Sequence, residues 1–207
     1  AYTFDAVKMN GFFNVLTANL SHQHWTESRN NRGYQKTTIA RRTENIDVIG
    51  YNVALRHKDD RHELTIGTDG QFNLLKSDAH KTDIFTGAET KIDTRYPDGK
   101  NNMNLFGSFF QHTLKLAEGK VVINDGLRFN YTTLHSTLVD TAVQFNIPVT
   151  DLKQANKALT GNLGVAFMPS DELRLTANLS SGFRSPNFDD MTKVFESTNS
   201  MLIVPNK

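Results

Sequence analysis

Hydrophobic and polar residues alternate along most of this chain with a period of two, the spacing of strands whose successive side chains point to opposite faces. Across 121–135 the odd positions carry Val121, Ile123, Leu127, Phe129 and Tyr131, and the even ones Asn124, Gly126, Arg128, Asn130 and Thr132. Over 173–184, Leu173, Leu175, Ala177, Leu179 and Phe183 oppose Arg174, Thr176, Asn178, Ser180 and Arg184. Leu159, Leu163, Val165 and Phe167 oppose Thr160, Asn162, Gly164 and Ala166 in the same way. So do Leu64, Ile66, Phe72 and Leu74 against Thr65, Asp69, Gln71 and Asn73, and Ile49, Tyr51, Val53 and Leu55 against Asn52, Ala54 and Arg56. A sheet with one apolar and one polar face requires this division.

The pattern predicts about seven strands, at 12–27, 44–57, 62–76, 103–117, 120–138, 158–168 and 172–184. Several exceed the roughly five or six residues of a soluble strand and reach the roughly 9 to 11 that cross a bilayer at a tilt. Lys58-Asp59-Asp60-Arg61, Ala117-Glu118-Gly119 and Pro169-Ser170-Asp171 read as tight polar turns. Between them lie longer connections at 28–43, 77–102 and 139–157, with another opening at Ser185. Short and long connections alternate, as the periplasmic turns and extracellular loops of outer-membrane barrels do. The expected fold is therefore all-β: an antiparallel, up-and-down segment of a transmembrane β-barrel. Helix is expected only within loops, at most one turn over 151–157. Tyr96-Pro97-Asp98-Gly99 reads as a local turn. The competing architecture, a soluble β-sheet module binding carbohydrate or another ligand, would seal the apolar face beneath a second sheet.

Composition narrows the classes. Lys and Arg number 23 and Asp and Glu 22, a net charge of +1, which gives no footprint for nucleic acid. There is no cysteine, so disulfide and thiol chemistry are excluded. Hydrophobic residues make up 38 % and the mean hydropathy is −0.46. No run approaches the roughly 18 to 20 apolar residues of a membrane helix. Barrel strands alternate, however, so their average hydropathy stays near that of soluble strands. Ala1-Tyr2-Thr3-Phe4 carries no signal-peptide features, and the sequence stops at Val204-Pro205-Asn206-Lys207 without a closing element. Both ends are expected to be cuts in a longer protein.

Candidate chemistry is sparse. His22 and His24 lie two apart on one strand face, a spacing able to share a metal, but no third ligand stands out. A polar pair beside Trp25 explains them equally well, and no metal site or cofactor is expected. Asp59-Asp60-Arg61-His62-Glu63 is dense in charge, yet a solvated turn is the default there. The sequence holds no phosphate-binding glycine loop, zinc-type His-Glu-x-x-His or nucleophile elbow, and no enzymatic activity is expected.

Over 179–197, "LSSGFRSPNFDDMTKVFES", the sequence resembles the barrel of TonB-dependent receptors, especially those of Bacteroidetes-type bacteria. Phe183-Arg184-Ser185-Pro186-Asn187 resembles the family's Phe-Arg-Ala-Pro box at the outer end of a barrel strand, with Ser185 for the commoner Ala. Leu202-Ile203-Val204-Pro205-Asn206 resembles the start of its downstream Asn-Pro box, which Lys207 leaves incomplete. "TRYPDG" at 94–99, "NDGLRFNY" at 124–131 and the stretch 158–186 resemble the family more loosely. The resemblance implies a parent barrel of about 22 strands filled by an N-terminal plug. Residues 1–207 would be part of its wall, with neither the plug domain nor the barrel closure in this chain. It implies an outer-membrane active transporter importing a scarce, bulky solute of the siderophore, cobalamin, haem or glycan class. The partners implied are outer-membrane lipid, the parent's plug, TonB and the transported molecule. Phe183, Arg184, Pro186 and Asn187 are the motif residues. On the polar face of its strand, Arg184 could meet an anionic ligand or plug carboxylate, or brace the following loop through backbone carbonyls.

Haem receptors of this family carry an axial histidine between the two boxes, whereas 187–204 holds none here. Met191 and Met201 are more plausible as packing residues than as capture ligands. Haemin titration of the intact receptor is expected to give no Soret band that depends on Met191 or Met201.

Overall fold

The computed structural model describes residues 1–139, 151–191, 195–196 and 202–203, the last residues from 191 onward as backbone only. Eight strands lie side by side in sequence order in one antiparallel sheet: β1 (Tyr2–Val7), β2 (Val15–Asn31), β3 (Thr38–Lys58), β4 (His62–Asp83), β6 (Asn101–Leu116), β7 (Val121–Thr137), β8 (Asp151–Ser170) and β9 (Leu173–Ser180). The short β5 (Glu89–Lys91) adds to the outer end of β4. Beyond β9 come a single helical turn, α1 (Phe188–Met191), and a two-residue pairing of β10 (Phe195–Glu196) with β11 (Leu202–Ile203). The sheet is not closed, and among the described residues β1 and β9 each leave one edge unpaired.

Register decides which side chains share a face, because directly opposed residues point the same way. Phe4, Ala18, Val53, Thr68, Ser108, Phe129 and Leu159 form one such row across seven strands. The next row toward the tight turns runs Leu16, Leu55, Ile66, Phe110 and Leu127. These apolar rows are uncovered: Leu127 is 56 %, Leu175 53 % and Leu179 76 % exposed. Leu173 and Phe129 are exposed as well, and Ile123 is half-buried. Among the described residues no second sheet covers them, which excludes the sealed sandwich. An apolar face this extensive is stable only against lipid or detergent.

The opposite face is polar through its middle, along Asn19, Asn52, Asp69, Gly107 and Asn130. At its outer end it turns apolar. Leu75, Met103, Leu134 and Leu152 are buried there together with Ala79 and Pro97. That small core exists because residues 92–100 fold back over the sheet. Asn101 Nδ2 donates to Pro97 O at 2.6 Å, Arg42 Nε to Asp93 O at 3.3 Å, and Gly99 N to Thr137 O at 3.0 Å. Residues 95–99 bend rather than make a hydrogen-bonded turn, and Gly99 is required for space, since a Cβ would collide with Thr137.

Several boundaries differ from those the alternation predicts. β1 is an additional strand, and residues 8–14 form a turn rather than the start of a strand: Lys8 has φ 58° and Met9 N donates to Asn14 O. Phe12 leaves the sheet to stack on His57, with ring centroids 4.3 Å apart and planes 9° from parallel. The expected connection at 28–43 is mostly ladder, with Ser28, Arg29, Asn30 and Asn31 opposing Thr43, Arg42, Arg41 and Ala40. Both faces are polar there, so hydrogen bonding continues where hydrophobic alternation stops. For the same reason β4 runs on to Asp83, and 151–157 is strand paired to β7 rather than a helical turn. β9 ends at Ser180, so Phe183 and Arg184 lie beyond the sheet rather than on a strand.

The turn between β3 and β4 is held by Asp59. Its Oδ1 accepts the N–H groups of His62 at 2.6 Å and Arg61 at 2.8 Å. These two bonds, aided by His57, hold the carboxyl at about 2, below its ordinary 3.8. A depressed folded value stabilises the turn at pH above about 4, and that contribution is lost as pH falls toward about 2. Stability measured against pH is expected to fall over that window in the parent and to stay flatter in Asp59→Asn.

Candidate functional site: the polar inner wall

The inner face is concave and encloses a hollow of about 500 Å³. Asn19 and Ser21 of β2, Asn52 of β3, Asp69 and Gln71 of β4, and Arg128, Asn130 and Thr132 of β7 line it. Amides and hydroxyls share this wall with Val48, Leu105 and Phe183, and Asp69 and Arg128 are its two charges. They sit on strands separated by β6 and close on each other as a fork: Nη1 to Oδ2 at 2.7 Å and Nη2 to Oδ1 at 2.6 Å. Arg128 Nε also donates to Asn130 Oδ1 at 2.7 Å, and the guanidinium lies 5.9 Å from the Phe109 ring centroid. Two planar groups meeting in this bidentate way fix orientation as well as charge. The bridge passes over Gly107, where a Cβ would strike the Arg128 guanidinium and come within 2.6 Å of Asp69 Oδ1.

The segment after β9 returns across this wall. Phe183 and Ser185 line the same hollow as Asn19 and Asn52, residues on the far side of the sheet. Arg184 is 77 % exposed and reaches neither the Asp69–Arg128 pair nor backbone carbonyls. Instead its Nη2 donates to both oxygens of Asp190, at 2.8 and 2.7 Å. Asp190 Oδ2 accepts Asn187 N, and Asn187 Oδ1 accepts Asp190 N, both at 3.1 Å. Pro186 is half-buried between them. Arg184 thus braces the loop, but through a side-chain carboxylate. The neighbouring Asp189 fastens this loop to the inward fold at 92–100, accepting from Tyr96 Oη at 2.7 Å and pairing with Arg95 at 3.5 Å. Burial and the Asp189 carboxylate push the Tyr96 phenol well above its ordinary range. Beneath, Glu44 is 2 % exposed and neither of its oxygens has a hydrogen-bond partner, while the charges of Arg29, Arg95 and Arg42 act on it.

His22 and His24 face outward in the body of β2 and share one carboxylate oxygen, Asp47 Oδ1, at 3.2 and 2.9 Å. Among the described residues no three His, Asp or Glu side chains are placed to hold a metal ion. The 59–63 charge cluster is the turn described above. Residue 201 and residues 204–206 of the second box lie outside the described residues. Sequence reasoning missed the Asp69–Arg128 bridge. Both residues stand on polar positions of predicted strands, but their meeting depends on register across β6.

The family model described as TonB dependent receptor-like, beta-barrel, matches residues 1–206. No curated protein matches the chain in sequence. Among solved structures, the copper transporter OprC superposes with a TM-score of 0.77 at 16 % identity, over 91 % of this chain and 30 % of its own. The ferric citrate transporter FecA in its unliganded form superposes with a TM-score of 0.53 at 17 % identity, over 79 % of this chain and 24 % of its own. At such identities the likeness is one of fold, and the chain spans less than a third of either protein.

Gly107→Val is expected to break the Asp69–Arg128 bridge and to lower the urea midpoint of the micelle-folded barrel more than Arg128→Met does. The latter removes a pair about a third exposed, and its expected cost is about 1 kcal/mol after solvent screening.

Proposed function

Because the chain belongs to the TonB dependent receptor-like β-barrel family, we propose that it forms part of the wall of an outer-membrane active transporter. The transporter imports a scarce, bulky solute of the siderophore, cobalamin, haem or glycan class with energy delivered through TonB. The observation that carries this reading is the pairing of an uncovered apolar outer face with a wide inner hollow bearing amides, hydroxyls and one ion pair on one continuous sheet. Lipid of the bacterial outer membrane covers the first, and the plug domain of the same parent protein occupies the space facing the second. TonB engages the parent through its N-terminal region. In this role Phe183 seats on the inner wall at the outer mouth, while Arg184, Pro186 and Asn187 shape the loop that follows. The chain performs no chemistry on its solute and has no part in nucleic-acid binding.

Uptake by cells carrying the full-length receptor decides the matter. Deleting the receptor gene and deleting tonB are expected to abolish accumulation of the same solute at nanomolar supply. Uptake that persisted without TonB would make the protein a passive channel.

A further inference from the structure

Besides the His22–His24–Asp47 cluster, the outer face carries a second group of polar side chains that neither lipid contact nor solute transport uses. At the start of β4, beside the 59–61 turn, His62 Nδ1 lies 3.1 Å from His112 Nε2 on β6, and the two rings are 16° from parallel. Behind it, His112 Nδ1 lies 3.1 Å from Asp125 Oδ1 on β7. An ionised carboxylate only accepts, so His112 carries its proton on Nδ1 and presents the Nε2 lone pair toward His62. An imidazole whose far nitrogen is held by a carboxylate is fixed in tautomer and orientation, the arrangement that supports metal-ligating histidines. Two imidazole nitrogens bound to one cation at about 2.0–2.1 Å stand about 2.9 to 3.4 Å apart for bond angles between square and tetrahedral. The observed 3.1 Å falls inside that interval. His62 needs only to move its proton from Nδ1 to Nε2 to offer a second lone pair, and His62 is exposed to solvent.

We propose that His62 and His112 form a two-imidazole site for a late first-row divalent cation, Cu²⁺ or Zn²⁺, with Asp125 as the positioning carboxylate of His112. Two nitrogen donors select these ions over the oxygen-seeking Mg²⁺ and Ca²⁺. Water completes the coordination on the open side. The bound ion ties β4 to β6 where the wall leaves the bilayer. It lies on the opposite face from the solute path, so the site stands whatever the transporter imports.

The test is a Cu²⁺ titration of the full-length receptor in detergent, followed by electron paramagnetic resonance. The background is His22→Ala/His24→Ala, which removes the other outward histidine pair. One equivalent is expected to show hyperfine splitting from two imidazole nitrogens. His62→Ala and His112→Ala are each expected to abolish that signature, and Asp125→Asn to keep it while weakening binding about 10- to 100-fold. A background receptor without a two-nitrogen signal would overturn the site, as would a signal unchanged in His62→Ala/His112→Ala. If His112→Ala fails to insert, His62→Ala at the exposed start of its strand decides alone.

Discussion

Every other feature of this chain depends on one requirement: backbone N–H and C=O groups placed in hydrocarbon must find partners within the protein. The ladder meets it without interruption over long stretches. β3 and β4 pair residue for residue from Thr38–Asp83 to Lys58–Glu63, and β7 and β8 from Val121–Phe167 to Thr137–Asp151. Among the described residues the one register shift, between Phe167 and Ser170, falls at a turn, where water takes over. The same requirement makes the open edges of β1 and β9 incompatible with a bilayer unless further strands pair with them.

Once the ladder is continuous, the pleat does the sorting. Each strand sends alternate residues to lipid and to the interior, so one register determines both surfaces together. A slip of one residue in β7 would carry Leu127 and Phe129 inward and Arg128 to the lipid, separating it from Asp69. The bridge over Gly107 and the apolar rows therefore reinforce each other. The glycine is the point of contact: a side chain on β6 at that position would hold the two charges apart on the inner wall.

The face division and the strand order were legible in the sequence because both are local. Alternation at 121–135 and 173–179 states which residues look outward, and short turns such as Asp59-Asp60-Arg61 state which strands are neighbours. What was not legible has two physical causes. Beyond the apolar band both faces meet water, so Ser28, Arg29, Asn30 and Asn31 carry no hydrophobic signal although they remain paired. Contacts between distant segments, such as Tyr96 with Asp189 or Asp69 with Arg128, arise from register and curvature that no window of sequence contains. The Phe183–Asn187 box shows both situations. Its residues stand in the sequence, but their placement off the strand, with Arg184 turned to Asp190, follows from where the ladder ends.

The chemistry of the inner wall limits what it can contribute to recognition. Asp69 and Arg128 satisfy each other in a bidentate pair, so little of either charge is left to attract an ionic solute at a distance. Beside apolar Val48 and Leu105, Asn19, Ser21, Asn52, Gln71, Asn130 and Thr132 offer short-range hydrogen bonds in both directions, which water or any polar occupant can share. Such a surface can hold a polar neighbour without selecting sharply for one chemical class. At the outer end, Tyr96 and Asp189 draw two segments far apart in sequence into one fastening beside the hollow. Near it Glu44 lies buried without a hydrogen-bond partner, and burial, opposed by the nearby arginines, pushes its carboxyl up. The charges thus divide along the sheet: one self-satisfied ion pair on the middle of the wall, and a cluster of arginines and acidic side chains at its outer end.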